Sequence, residues 1–244
     1  MLSKKEIKDI QSLGLKKHRE ETGLFIAEGP KVVYELAQAL PEALQMIYGV
    51  KDWMEESGHL FDKQKLTEIT GVELERMSHL QTAHKVIAVF KQLPSSAPVP
   101  SGMTLYLDTI QDPGNFGTII RIADWFGIRD VVCSPGCADL YNPKVVQSTM
   151  ASMARVNVYY DEEGSWLDKQ EGIPLYAAAL DGKSIYSFHQ VSKGILLIGN
   201  ESKGIRPEWM SRATERITIP RIGEAESLNA AVATGIILSH LVKN

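Results

Sequence analysis

The chain has few cysteines and no histidine pattern that suits a metal ion. Its 244 residues include two cysteines, Cys133 and Cys137, in the stretch Cys-Ser-Pro-Gly-Cys. Two thiols without a histidine nearby in sequence cannot complete a four-ligand zinc site, so we expect two reduced cysteines at a strand end. The six histidines are scattered without metal-ligand spacing. The sequence therefore predicts no metal site.

Long apolar segments are also lacking. No run of 18 or more apolar residues occurs, which argues against a membrane-spanning helix. The segment 1–6, Met-Leu-Ser-Lys-Lys-Glu, lacks the apolar centre of a signal peptide. We therefore expect a cytoplasmic protein with no membrane partner. The apolar fraction of 44% is enough for a core that needs neither metals nor disulfides.

A net positive charge is missing as well. The formal charge is −4, whereas many nucleic-acid-binding proteins are basic. Residues 1–19 nevertheless contain six lysines and arginines against two acidic residues, a local balance of +4. This segment either contacts phosphates or forms a solvated helix face, and composition alone leaves the function open.

The clearest domain boundary lies at 93–102, Leu-Pro-Ser-Ser-Ala-Pro-Val-Pro-Ser-Gly. Three prolines, three serines and a glycine cannot form a helix or an inner strand, so we interpret this stretch as a linker between domains 1–92 and 103–244. In the first domain, apolar strands at 23–29 and 86–90 and a helix opened by Pro30 predict a small α/β fold.

The second domain alternates strands with helices. Strands are predicted at 104–107, 130–133, 174–179, 194–198 and 216–219, and helices at 115–126, 142–154 and 227–242. Strands of near-continuous apolar character indicate a buried parallel sheet with helices on both faces. Because ligands of such sheets bind beyond the carboxyl ends of the strands, we expect the chemistry in the loops after residues 107, 179, 198 and 219.

The first motif of these loops is LDTIQDPGNFGTIIR at 107–121. Its Pro-Gly pair forms a turn, and Asn115 is predicted to be the helix N-cap. Arg121 lies six residues on, about 9 Å along the axis at ~1.5 Å per residue. Helical side chains lean toward the N-terminus, so its guanidinium can reach back toward the strand end. Spacing alone favours the plainer interpretation, a capped helix with a surface arginine.

The other two motifs also follow predicted strands. LLIGNESKGI at 196–205 leads into a turn with two glycines, where a backbone can approach a ligand closely, although an ordinary turn fits equally. It has neither the dinucleotide nor the P-loop glycine pattern. ITIPRIGEAESLNAAVA at 217–233 runs through a loop into an alanine-rich helix that we expect Ser227 to cap. Asn229 offers an amide in the first turn, where free backbone N–H groups point outward.

In this order, the three motifs resemble those of the SpoU (TrmH-like) family of RNA 2′-O-ribose methyltransferases, in the SPOUT superfamily. The resemblance covers the whole chain, since LKKHR at 15–19, FIAEG at 25–29 and IAV at 87–89 resemble the family's N-terminal substrate-binding domain. It implies a C-terminal SPOUT domain with a parallel sheet and a deep trefoil knot, beside a small N-terminal α/β substrate-binding domain. Knots are rare, and periodicity alone would not suggest one.

The resemblance also implies a cofactor, partners and particular site residues. The cofactor is S-adenosylmethionine, and the partners are RNA, ribosomal RNA before transfer RNA, and a second copy of the chain. The positions that match cofactor contacts are Gly199, Ile219 and Leu228. The positions that match the polar part of the active site are Asn115, Arg121, Glu201, Ser227 and Asn229. One departure is Ala151, where the family often has glycine.

Two other functions stay open. One is methylation of a base nitrogen by an enzyme of the same superfamily, which would be expected to bring a base pocket that the sequence does not display. The other is a non-catalytic RNA-binding or ribosome-assembly protein. The absence of Arg121 or Asn229 would have favoured this alternative, and both residues are present. For the methyltransferase we expect Arg121 to clamp phosphate and 2′-oxygen, since a guanidinium stays protonated in proteins and cannot act as a base.

Overall fold

The computed structural model describes residues 2–242; Met1, Lys243 and Asn244, which the predicted domains include, lie outside the described residues. In this range the α-helices are α1 (Lys4–Ser12), α2 (Lys16–Thr22), α3 (Pro30–Ala39), α4 (Lys51–Ser57), α5 (Gly71–Met77), α6 (Pro113–Trp125), α7 (Pro143–Thr149), α8 (Pro207–Met210) and α9 (Ala230–Leu241). The strands are β1 (Leu24–Glu28), β2 (Leu44–Val50), β3 (Leu66–Ile69), β4 (Val86–Lys91), β5 (Met103–Asp108), β6 (Asp130–Cys133), β7 (Asn157–Tyr160), β8 (Leu175–Ser184), β9 (Gly194–Gly199) and β10 (Glu215–Thr218).

The chain divides into two compact units. The first contains the residues up to Pro94 together with Asp139–Ala154. The second contains Ser95–Ala138 and the chain from Arg155 onward. The sequence did not predict that a segment from the second half, which includes α7, would pack with the first unit. The domain bounds 1–92 and 103–244 stay a prediction.

The first unit is built on a four-stranded sheet in the order β1-β4-β2-β3. β4 is antiparallel to both of its neighbours, and β2 is parallel to β3. Helices α1 and α5 cover one face, where Ile10, Leu74 and Met77 pack with Ile26 and Ile87 in one core. The predicted α/β character of this half therefore appears, with two strands, β2 and β3, that the sequence analysis did not identify.

Arg19 is a structural residue of the first unit. Its side chain is 2% exposed, and Nη1 donates to the carbonyl oxygen of Leu13 at 2.8 Å. Its Nη2 forms an ion pair with Asp139 Oδ2. A buried arginine with a carboxylate partner is unavailable to an RNA phosphate. The basic excess of residues 1–19 therefore offers fewer exposed cations than its composition indicates.

Helix α7 is shorter than predicted. It begins after Asn142, whose side chain accepts from Lys144 N–H at 2.9 Å, and it ends at Thr149 instead of continuing to 154. Met150 and Ala151 then adopt φ values of 46° and 67°. This left-handed region favours glycine, because a Cβ crowds the following carbonyl. The conformation explains why glycine suits the position of Ala151.

The second unit contains a six-stranded sheet in the order β10-β8-β9-β5-β6-β7. Each pair of neighbours is parallel, which confirms the predicted parallel sheet. The central strand β5 is buried along its whole length, and β9 is buried up to Ile198. The predicted strand positions hold within a few residues, but the edge strand β7, with a half-polar sequence, was missed.

The strand order places a switch point between β5 and β9. From β5 the chain proceeds outward through β6 and β7, and it then returns to the other side of β5 to form β8, β9 and β10. Crevices at the carboxyl ends of strands that diverge in this way are the usual ligand sites of open parallel sheets. The first and second motifs follow these two adjacent strands.

Candidate functional site

The N-terminus of α6 differs from the prediction. The N-cap is Asp112, whose Oδ1 accepts from the backbone N–H of Asn115 at 2.7 Å, so the predicted N-cap at Asn115 is wrong. Aspartate at the N-cap followed by proline at the first helical position is a favoured helix start, and here it takes precedence over the later asparagine. Asn115 therefore lies inside the first turn, where its side chain is not needed for capping.

Helix α9 differs from the prediction too, because it begins later than predicted. The helix starts at Ala230, and the cap is Asn229, whose Oδ1 accepts from the N–H groups of Ala231 at 3.0 Å and Val232 at 3.2 Å. The predicted cap at Ser227 is therefore wrong. Ser227 lies in the exposed loop before the helix, as does Leu228, which is 47% exposed.

A chain of side-chain hydrogen bonds joins the three motifs. Nδ2 of Asn229 donates to Oδ1 of Asn115 at 2.7 Å, and Nδ2 of Asn115 donates to Oε1 of Glu201 at 2.6 Å. Asn229 is held in turn by the free amides of α9. The chain has one direction, because its far end is a carboxylate that only accepts and its near end accepts from backbone N–H groups. The structure thus brings together three of the five predicted polar residues.

Glu201 lies on a tight turn after β9. Asn200 and Gly204 exchange two backbone hydrogen bonds, of 3.1 and 2.8 Å, and the Asn200 side chain accepts from the N–H groups of Ser202 and Lys203. At the base of the turn, a Cβ on Gly199 would lie 2.3 Å from the carbonyl carbon of Gly204. Only glycine permits this close approach, so the turn that carries Glu201 depends on Gly199.

Of the three predicted cofactor contacts, two lie at strand ends, and Leu228 lies in the loop before α9. Gly199 is the last residue of β9, and Ile219 directly follows β10; both are half-buried. With Leu228 they offer backbone and apolar surface, as a bound adenosine group requires.

Arg121 is not part of the hydrogen-bonded chain. It is exposed on α6, and in the described part of the protein its guanidinium makes no hydrogen bond or ion pair. Six residues correspond to about 600° of rotation at ~3.6 residues per turn, so Arg121 lies on a different helix face from Asn115. The structure therefore does not bring Arg121 to Glu201.

A groove of about 350 Å³ lies between α6 and α9, beside the hydrogen bonds that join Asn229, Asn115 and Glu201. Its lining residues are mostly small or apolar and include both asparagines: Asn115, Thr118, Ile122, Asn229, Ala231, Val232, Gly235 and Ile236. The two helices are in contact here, since a Cβ on Gly235 would lie 3.6 Å from Ile122 Cδ1, an ordinary van der Waals distance.

Both cysteines are free thiols beside the end of β5. Cys137 Sγ donates to the carbonyl oxygen of Leu107 at 3.3 Å. A hydrogen bond from Cys133 lowers the pKa of the Cys137 thiol, whereas burial raises the pKa of Cys133. Among residues 2–242, no group of three or more His, Cys, Asp or Glu side chains could hold a metal ion, and no helix is long and apolar enough to cross a membrane.

Comparison with known proteins decides the family. The model of the SpoU rRNA methylase family matches residues 102–239, and that of the MRM3-like substrate binding domain matches residues 4–88. The chain belongs to the SpoU rRNA methylase family. This confirms the resemblance drawn from the motifs. All eight predicted site residues lie inside the first match.

Similar proteins match over nearly the full chain. The chain is 31% identical to the 23S rRNA (guanosine(2553)-2′-O)-methyltransferase RlmP of Bacillus subtilis, over 97% of this chain and 95% of that protein. A protein from Porphyromonas gingivalis described as a TrmH-family RNA methyltransferase is 39% identical, with a TM-score of 0.85 over 98% of this chain and 97% of the other. The AdoMet-bound rRNA methyltransferase from Sinorhizobium meliloti is 30% identical, with a TM-score of 0.81 and coverage of 98% and 94%.

Proposed function

We propose that this protein transfers a methyl group from S-adenosylmethionine to a ribose 2′-hydroxyl of RNA. The observation that carries the proposal is the hydrogen-bonded chain from Asn229 through Asn115 to Glu201, at the carboxyl ends of the sheet strands. It supports the proposal because it assembles, in one SpoU-family unit, polar groups from three segments that are distant in sequence. Membership of the family and the rRNA methyltransferase relatives support it further.

We assign the cofactor to the loops after β9 and β10. Gly199, Ile219 and Leu228 would hold it, Gly199 with its backbone in a turn too tight for a side chain. These residues fit the group, since an adenosine needs apolar walls and backbone hydrogen bonds. Bound there, S-adenosylmethionine supplies an electrophilic methyl group on its sulfonium.

The polar residues receive distinct roles. Asn115 and Asn229 hold the ribose and the loop geometry, because each is fixed by hydrogen bonds at both ends of its amide. Glu201 uses one oxygen for Asn115, and its Oε2 has no partner among the described residues, so we assign it to accept the 2′-hydroxyl proton through water. Arg121 clamps a phosphate and the developing 2′-oxyanion. Ser227 is assigned to the polar part of the same site.

We propose that the protein acts as a homodimer through the face formed by α6 and α9. Val232 in the groove is 51% exposed and Trp125 at the end of α6 is 84% exposed, so a second copy would bury an apolar surface. The groove adjoins Asn115 and Asn229, which places such a copy next to the site. Arg121, turned away from Glu201 of its own chain, would then serve the site of the other copy.

We also propose that the second unit contains a deep trefoil knot and that the protein acts in the cytoplasm. Hydrogen bonds from the segment after β9 to Asp108 and Thr109, and from the start of α9 to α6, support the knot because they hold two C-terminal segments against the strand and the helix that flank the loop after β5. The cytoplasmic assignment agrees with a substrate found in ribosomes.

Ribosomal RNA is the proposed substrate class, with transfer RNA second. The full-length similarity to RlmP, a 23S rRNA enzyme by name, supports this order, as does the match of residues 4–88 to a substrate-binding domain. To test the function, the protein is incubated with S-adenosylmethionine and separate ribosomal and transfer RNAs, and product nucleosides are analysed by mass spectrometry. We expect a ribose-methylated nucleoside; a base-methylated one, or none with either RNA, would contradict the proposal.

A further inference from the structure

Asp108, the last residue of β5, is a buried carboxylate that the sequence analysis did not select. It is 1% exposed, and its two oxygens accept four hydrogen bonds. Two come from Arg206, from the backbone N–H at 2.7 Å and from Nε at 3.0 Å. The other donors are the hydroxyls of Thr109 at 2.9 Å and Ser134 at 3.4 Å. A carboxylate this deeply buried needs its cation, because an unpaired charge is costly away from water.

Arg206 fastens the far end of the turn that carries Glu201. Besides its two bonds to Asp108, its guanidinium lies over the ring of Trp209, 3.6 Å from the centroid. At the near end of the turn, Nδ2 of Asn200 donates to the carbonyl oxygen of Thr109 at 2.9 Å. The turn is thus attached at its two ends to Asp108, the last residue of β5, and to Thr109, which follows it.

Thr109 itself has a conformation that this attachment needs. Its φ of 58° lies in the left-handed region, which is uncommon for a residue with a branched side chain. The N–H of Thr109 donates to Ser134 Oγ and its hydroxyl donates to Asp108, which hold the strained residue in place. Such strain concentrates at sites where geometry matters for function.

We propose that Asp108 and Arg206 are positioning residues. They fix the turn at Gly199–Gly204 relative to the end of β5, in the position in which the turn binds the cofactor and Glu201 accepts the hydrogen bond from Asn115. The inference rests on the proposed function, and it adds two residues that are not among the eight residues assigned to the cofactor and the ribose. The hydrogen bond of 2.6 Å between Asn115 and Glu201 leaves little tolerance. A displacement of the turn by about 1 Å is of the size that can lower a rate about 100-fold.

Asp161 provides a matched control. It is also buried, 2% exposed, and it follows a strand of the same sheet. It accepts from the N–H groups of Ser165 and Trp166 and from the hydroxyl of Tyr106. The loop it holds carries none of the proposed site residues. Replacing Asp161 therefore tests for the loss of a buried carboxylate without moving the turn after β9.

The experiment compares Asp108→Asn, Arg206→Met and Asp161→Asn with the wild-type protein. Arg206→Met keeps the stem on Trp209 and the backbone N–H bond but leaves the Asp108 charge without its cation. The double variant Asp108→Asn/Arg206→Met, which leaves no unpaired buried charge, is therefore measured as well and keeps the test informative if either single variant does not fold. Two measurements are made on each full-length protein: affinity for S-adenosylmethionine by calorimetry, and amide hydrogen exchange of the 200–205 segment without cofactor. The second does not depend on the identity of the ligand.

We expect Arg206→Met to weaken cofactor binding by at least about tenfold and to speed exchange of the 200–205 segment. Asp161→Asn is expected to lower the melting temperature while cofactor affinity and that exchange stay at the wild-type level. If Arg206→Met binds and exchanges like the wild type, or if Asp161→Asn reproduces its effects, the positioning role is rejected. If the wild type itself neither binds the cofactor nor methylates RNA, the proposed function is wrong. The exchange measurement is independent of that result: unchanged exchange of the 200–205 segment in Arg206→Met would show that Arg206 does not hold the turn in place.

Discussion

The side-chain oxygen of Asn115 accepts a hydrogen bond of 2.7 Å from Nδ2 of Asn229, although 114 residues separate the two. The same Asn229 caps α9 with its oxygen, so one side chain both starts a helix and orients a neighbouring amide. Because the NH₂ group of Asn115 donates to the Glu201 carboxylate, its Oδ1 faces Asn229 and can pair there only with a hydrogen-bond donor. The position of each proton in this chain is therefore determined.

The first prediction uses this direction. Asn229→Asp keeps an oxygen to cap α9 but places a second acceptor against Asn115, so one link of the chain is lost however the Asn115 amide is turned. Loss of one hydrogen bond to a charged group corresponds to ~1.5–3 kcal/mol, or about 10- to 100-fold in methyl transfer. We expect this loss in single-turnover assays with a melting temperature near that of the wild type. Asn229→Ala, which also removes the cap of α9, should lower the melting temperature as well. Full activity of Asn229→Asp would contradict the role of this hydrogen-bonded chain in methyl transfer.

The second prediction concerns Arg121. Arg121→Ala should leave the affinity for S-adenosylmethionine unchanged and lower methyl transfer at least about 100-fold, near ~2.7 kcal/mol, because the clamp on phosphate and 2′-oxygen is lost. Calorimetry and turnover at saturating RNA measure the two quantities. Arg129→Ala, which removes another exposed arginine of the same unit, serves as the control. Near-normal turnover of Arg121→Ala would eliminate the proposed role.

The third prediction tests the shared site. Arg121→Ala and Asn229→Ala are each expected to be inactive alone. In a heterodimer of the two, one site would receive both intact residues and the other neither, so activity should recover to about half of the wild-type dimer if the sites act independently. If each chain builds its own site, every site lacks one residue, and a purified heterodimer stays inactive.

The fourth prediction concerns the turn after β9. Gly199→Ala places a Cβ 2.3 Å from the Gly204 carbonyl carbon and 2.4 Å from the Ile205 nitrogen, so the turn must open. We expect cofactor affinity to fall by at least about tenfold, ~1.4 kcal/mol. Gly223→Ala is the control, since its Cβ would meet nothing within 4 Å. Equal affinities of the two variants, measured by calorimetry, would contradict the role assigned to this turn.

The fifth prediction follows from the thiols. The hydrogen bond from Cys133 lowers the pKa of Cys137, so its reactive thiolate forms at a lower pH than that of an ordinary cysteine. Iodoacetamide should modify Cys137 first, with a pH profile shifted to lower pH, while Cys133 stays protected by burial. Peptide mass spectrometry across a pH series measures both. In Cys133→Ala, which removes the donor, the profile of Cys137 should move to higher pH. Preferential labelling of Cys133 in the folded protein would disagree with this geometry.

Much of the fold was predictable because the strands of the second unit have strong local signals. β6 coincides with its predicted range, and β5 and β9 differ by one or two residues, since their apolar runs are bounded by turn residues. β7 was missed because an edge strand with Asn and two tyrosines lacks such a run. The caps of α6 and α9 were misplaced because several residues in each loop have capping side chains, and local propensity does not rank them.

The arrangement of the site was less predictable. Family resemblance selected Asn115, Glu201 and Asn229, but their hydrogen bonds join residues 86 and 114 positions apart, so they depend on the tertiary fold. Asp108 and Arg206 were missed for the same reason: a carboxylate at a strand end has meaning only once its partner is known. The packing of Asp139–Ala154 with the first unit was equally hidden, because helical periodicity does not tell which core a helix joins.

The central claim is that this chain methylates a ribose 2′-hydroxyl of ribosomal RNA, and the most direct measurement is a map of 2′-O-methyl groups in RNA from cells with and without it. Cells that carry Arg121→Ala in place of the wild type form the third arm. We predict a 2′-O-methyl group in ribosomal RNA that is present with the wild-type protein and absent in both other arms. Identical ribose-methylation maps of ribosomal and transfer RNA in all three arms would contradict the claim.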